Sequence, residues 1–154
     1  MANQKILLPY NFARNDRKTL EFVIRTFAKQ NNVEITLINV YTPVPKIEMR
    51  GSPIMEKMAS SMQYLIQKVN EQEVALKAVK QELLKNGFSE NQIYHIFKPR
   101  KKDVALEIID LCLNGQFNVV VISHKQSKVT RFFTTNVFTK VVTALKDTTV
   151  CVVT

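Results

Sequence analysis

Apolar residues along this chain keep two different rhythms. Short, nearly continuous apolar runs predict strands at "KILLPY" (5–10), "EITLINVY" (34–41), "NVVVIS" (118–123) and "TTVCVVT" (148–154), and "QIYHIFK" (92–98) alternates as a half-buried strand does. Between these runs the spacing changes to that of helices. Leu20, Val23, Ile24, Phe27 and Ala28 share one face over residues 16–30, and Val104, Ala105, Ile108, Ile109 and Cys112 share another over 103–113, closed by Gly115. A short helix is expected over about 135–146.

The longest helical stretch has its own signature. Ser52 can cap it, Pro53 suits its first turn, and nothing interrupts it before Gly87. Met55, Met58, Met62, Leu65, Val69, Gln72, Leu76, Val79 and Leu83 recur at alternating steps of three and four, a heptad seam broken only by Gln72. One long helix or two abutting ones satisfy this pattern over residues 53–86. The expected placement is across a sheet, with a partner helix as the alternative.

Strands alternating with helices predict one α/β domain over residues 1–154, a parallel sheet covered on both faces. In such sheets ligands bind beyond the carboxyl ends of the strands, where strand order reverses. Arg14, Arg17 and Lys18 follow the first strand, Lys98, Arg100, Lys101 and Lys102 the third, and Lys125, Lys128 and Arg131 the fourth. These cations oppose the helix dipoles at the ends where they sit, and a bound anion would relieve that; solvation and salt screening would also do so.

Composition narrows the chemistry. The chain has 154 residues, a formal net charge of +9, three glycines and two cysteines. The charge surplus lies outside residues 51–90, where five basic side chains face five acidic ones. Three glycines exclude both the P-loop and the dinucleotide fingerprint. The sequence "PYNFA" lacks the acidic residues a receiver domain carries after its first strand. His95 and His124 stand on different strands without metal-ligand spacing, and no Ser or Cys occupies a nucleophile elbow. No catalytic residues and no metal ligands are therefore expected. Cys112 and Cys151 fit core positions, which suits a reducing compartment. No apolar run is long enough to span a membrane, the opening "MANQKILLPYNF" does not read as a signal peptide, and a cytoplasmic protein is expected. Nucleic acid is not an expected partner, because Phe132 and Phe133 read as packing residues rather than base-stacking platforms.

The assembled pattern resembles the universal stress protein family. "KILLPYNFARNDRKTLEFV" is similar to the family's opening strand and helix, "ITLINVYTP" to its second strand, and "FNVVVISHKQSK…TTNVFTKVV…TTVCVVT" to its closing block. The resemblance implies a single-domain three-layer α/β/α fold with a five-stranded parallel sheet in the order 3-2-1-4-5. It also implies a stress-response role and a homodimer in which the final strands pair, here Thr149, Val150, Cys151, Val152 and Val153. An unknown protein partner is compatible with it.

One branch of the family binds ATP through a loop of the form Gly-x-x-Gly, nine residues, Gly-Ser/Thr. Aligned on this chain, those glycines fall on Ser123, Gln126 and Thr135, with Asn136 next, and the spacer is one residue short. The family's acid after the first strand falls on Asn11. The resemblance therefore implies a degenerate ATP motif, and the expected cofactor is none. The alternative is a sensor for AMP, ATP or a phosphate-bearing small ligand. Its candidate ligand-binding residues are Pro9, Tyr10, Asn11, Val40, Ser123, His124, Lys125, Gln126, Lys128, Arg131, Thr134, Thr135 and Asn136, with the phosphates meeting Lys125, Lys128, Arg131, Thr134 and Thr135, the base near Val40 and Asn11 on the ribose.

Overall fold

The computed structural model describes residues 3–45, 53–124 and 137–154. Strands β1 (Gln4–Pro9), β2 (Val33–Tyr41), β3 (Ile93–Pro99), β4 (Val119–Ser123) and β5 (Thr149–Val153) alternate with helices α1 (Arg14–Phe27), α2 (Pro53–Lys85), α3 (Val104–Asn114) and α4 (Val137–Ala144). All strand pairs are parallel, and the order across the sheet is β3-β2-β1-β4-β5. This is the expected fold class and the expected strand order.

The sheet separates two apolar cores. Ile6, Leu8, Ile35, Leu37, Val119 and Val121 face α1 and α2, meeting Leu20, Val23 and Phe27 from the first helix and Leu76, Val79 and Leu83 from the second. Leu7, Ile38, Val120 and Ile122 face α3 and α4, meeting Ala105, Ile108, Cys112 and Val141. β1 and β4 contribute to both, which is why Ile6–Leu8 and Val119–Ile122 are apolar without alternation. Gly87 stands just past the end of α2 at φ +111°, a backbone that its lack of a Cβ makes cheap.

Three expectations need correction. The first helix begins at Arg14 and ends at Phe27, rather than spanning 16–30, because Asp16 organises an earlier start and residues 28–32 turn into β2. Cys112 is buried, but Cys151 is only partly so, since β5 is an edge strand.

The third concerns α2, which is one helix of 33 residues and so about 50 Å long. It packs on β3 and β2, yet β3 has seven residues and reaches only about 23 Å. The sheet therefore receives Leu76, Val79 and Leu83 alone from the seam; Met58 and Leu65 are exposed, and Met62, Val69 and Gln72 are half-buried. The helix does not lie across the sheet along its whole length. The Ser52 cap and Gly51 lie outside the described residues.

Candidate functional site

Strand order reverses between β1 and β4, which lead in opposite directions across the sheet. The crevice at their carboxyl ends begins with the turn from β1 into α1. Tyr10 is buried, its amide donating to the Ile38 carbonyl at 2.8 Å and its carbonyl accepting from Asn39 Nδ2 at 2.8 Å. Burial pushes its phenol pKa up. The Asn11 side chain is exposed, and Phe12 follows at φ +57°, an uncommon conformation for an aromatic residue. Its ring packs edge-on against Tyr10 with centroids 5.3 Å apart.

Asp16 holds this strained turn in place. One carboxylate oxygen accepts from the amide of Asn11 at 2.8 Å and of Ala13 at 3.2 Å, on either side of Phe12. The other accepts from Ser123 Oγ at 2.6 Å, which joins the turn to the end of β4. The side chain is buried, in the third position of α1, where an acid completes half of a capping box. Ala13 has no acceptor for the other half. Sequence reasoning missed Asp16, although an acid in the first helical turn was the available signal.

A cleft of about 460 Å³ opens beside this clamp, lined by Ala13, Arg14, Asn15, Lys18 and Ser123. Arg14 and Lys18 form no ion pair among the described residues, whereas Arg17 is bound bidentately by Glu82 of α2 at 2.6 and 2.7 Å. Across the crevice, the His124 amide extends the β4–β5 ladder by donating to the Val153 carbonyl at 2.9 Å. The His124 ring lies 4.7 Å from Phe138 of α4. Val40 sits at the end of β2, half-buried against the α3–α4 core, and Pro9 ends β1. Pro9, Tyr10, Asn11, Ser123 and His124 thus come together around the crevice. Lys125, Gln126, Lys128, Arg131, Thr134, Thr135 and Asn136 lie outside the described residues.

The basic edge expected from the sequence is partly neutralised. Besides Arg17, Lys98 pairs with Glu107 at 2.6 Å and Lys102 with Asp110 at 2.7 Å. Glu107 is buried and also accepts the amides of Lys101 at 2.9 Å and Lys102 at 3.1 Å, so it organises the turn after β3. The hydrogen bond from Lys98, with those amides, lowers its pKa to about 2. Asp103 caps α3 through the Ala105 amide and is paired with Lys140, and the hydrogen bond from Lys140 holds its pKa below the usual carboxylate range. Among the described residues no group of His, Cys, Asp and Glu could hold a metal ion. No helix among them is long and apolar enough to cross a membrane.

The sequence model of the universal stress protein family matches residues 2–152. The chain belongs to that family. Universal stress protein UspA from Lactobacillus plantarum superposes with a TM-score of 0.69 at 12% identity, covering 100% of this chain and 99% of that one. The protein MJ0577 gives 0.67 at 18% identity, with 99% and 96% covered. A universal stress protein solved in complex with cAMP gives 0.65 at 13% identity, with 99% and 98% covered. At such identities these likenesses establish the fold. No curated protein sequence matches the chain.

Proposed function

We propose that this member of the universal stress protein family is a non-catalytic, cytoplasmic homodimer that does not bind ATP tightly. The Asp16 clamp carries the reading. In the turn after β1 the amides of Asn11 and Ala13 are already engaged by a buried carboxylate, so this side of the crevice has no free amides there to meet a phosphate. That carboxylate lies where a further negative charge would be repelled. Ser123 stands at the first glycine position of the family's loop and commits its hydroxyl to the same carboxylate. Its link to Asp16 is direct, with no imidazole between them to activate a nucleophile.

Dimerisation through the last strand draws support from the contrast between the two sheet edges. β3 is blunted by Lys98 and by Pro99, whereas β5 reads "TVCVV", with no charge and no proline. Light scattering at micromolar concentration is expected to give twice the chain mass, and Val152→Lys to return it to one. A monomeric wild type would sink the assignment.

A second reading is favoured by the cleft at Arg14 and Lys18 and by the structural neighbour solved with cAMP. In it, a nucleoside monophosphate presents a single phosphate to those two cations while the clamp stays closed. A thermal-shift screen with AMP, cAMP, ADP, ATP and phosphate, with and without magnesium, separates the two. A ligand at one hundred times its Kd adds about 2.7 kcal/mol. No shift with any nucleotide sustains the first reading. A shift with AMP or cAMP that Arg14→Ala/Lys18→Ala abolishes establishes the second, and a strong shift with MgATP overturns both.

A further inference from the structure

The free half of α2 is the largest feature that neither the fold nor the crevice uses. Its seam is continuous with the one that packs on the sheet, but between Pro53 and Gln72 no described seam residue is fully buried: Met58 and Leu65 are exposed, and Met62, Val69 and Gln72 only half-buried. Met58 is 40% exposed, Leu65 44%, Ile66 48% and Ile54 73%. A strict alternation of three and four residues suits packing against another helix, because it keeps one seam facing a partner over many turns. From the geometry and charge of this half we infer that two copies of the chain pair through it, antiparallel, with Met62 of one copy layered against Leu65 of the other.

Charge selects the partner. Each copy carries +9 overall, so most faces of two copies repel. Residues 53–72 carry Glu56, Lys57, Lys68 and Glu71, two acids and two bases, and are neutral. This is a stretch of surface on which like molecules can meet without that penalty. An antiparallel arrangement also sets the two basic sheet domains at opposite ends of the helix pair, while a parallel one would place them side by side.

The residues flanking the seam set the register. Centring the two-fold axis between Met62 and Leu65 puts Met58 opposite Val69, so each layer combines one a and one d residue. The flanking positions then bring Ala59 toward Ile66 and Ser61 toward Lys68, and no like charges are opposed. Gln72, the one polar seam residue, falls where the free half gives way to the sheet-bound half. In this register it lies in the outermost layer, at the rim of the helix pair, and registers that would bury it deeper among apolar neighbours are disfavoured. The paired length is about 30 Å of helix on each copy, short for a coiled coil, so association in the tens of micromolar is expected.

This interface is separate from β5, and the test keeps the two apart. In a Val152→Lys background, sedimentation velocity should show mostly monomer near 10 μM and mostly dimer toward about 300 μM. Adding Leu65→Glu should hold the protein monomeric throughout with an unchanged thermal midpoint, since that side chain is exposed. A Val152→Lys protein that stays monomeric across this range, or a dimer indifferent to Leu65→Glu, overturns the proposal. Register is read by disulfide cross-linking in a Cys151→Ala background; Cys112 is buried and its thiol, pushed up to about 12 by burial, is inert. Mixing Met62→Cys chains with Leu65→Cys chains should give a reducible covalent dimer, and neither should cross-link efficiently alone. Efficient cross-linking of Met62→Cys chains to themselves would instead mean parallel helices, and it too overturns the proposal.

Discussion

Two turns at the carboxyl edge of the sheet are built on one plan and differ in one respect. After β1, Asp16 gathers the amides of Asn11 and Ala13; after β3, Glu107 gathers those of Lys101 and Lys102. Both acids are buried, and both belong to the helix that follows their turn. Glu107 also receives Lys98, so its charge is matched within the turn. Asp16 receives a hydroxyl, and the cation beside it, Arg17, goes to Glu82. The turn after β3 is thus a closed structural unit. Among the described residues, the turn after β1 keeps a carboxylate with no cation paired to it, in a crevice rimmed by Arg14 and Lys18.

That comparison can be broken by mutation, and the largest effect is expected at Asp16. Asp16→Ala leaves two amides and a hydroxyl without their acceptor and removes the support for Phe12 at positive φ. A loss of about 3 kcal/mol is expected, read as a lowered urea midpoint at unchanged m. A loss below about 1 kcal/mol would mean that water replaces the clamp, and the two turns would no longer be alike.

Glu107→Gln comes next, at about 1–2 kcal/mol near neutral pH, because the shape survives and the charge-assisted bonds do not. Its pH dependence has a definite sign. The folded pKa, about 2, lies below the ordinary 4.5. The stabilisation is therefore complete above about pH 4.5 and fades as pH falls toward 2. Wild type and Glu107→Gln should converge over that window in urea titrations, and a constant gap would place the stabilisation in shape rather than charge. Ser123→Ala should cost about 1 kcal/mol, since one partner of a part-buried hydrogen bond is lost while two amides still hold Asp16. Smallest of all, Arg14→Ala/Lys18→Ala should alter the thermal midpoint little, within about 0.5 kcal/mol. That near-neutrality is what makes the pair a clean probe of anion binding.

The sheet was legible because its strands are apolar in ways that only a two-sided core explains: "NVVVI" has no polar face to offer solvent. The four helices were legible from their spacing, and their ends were not, because ends depend on individual hydrogen bonds. Asp16 moved the start of α1 in this way. The site was read mainly from its cations, on the reasoning that positive charge gathers where anions bind. Three of those cations are consumed by Glu82, Glu107 and Asp110, pairings of 65, 9 and 8 residues' separation that spacing alone does not reveal. The acids that shape the turns were overlooked because a lone Asp or Glu near a helix start looks like ordinary surface. The heptad seam identified a helix correctly, but it could not say which part of the seam the sheet would take up.

That division of α2 has a kinetic consequence. From Leu76 to Leu83 one face of the helix is packed into the α1–α2 core by Leu76, Val79 and Leu83, so its amides should be held by the fold and exchange slowly with solvent. In a single copy, the same unbroken ladder between Pro53 and Gln72 has little beyond the intrinsic stability of a helix of about twenty residues, which is marginal in water. Hydrogen exchange should therefore cross from fast to slow within about one turn near residue 74, along a single rod with no proline, glycine or kink to mark the boundary.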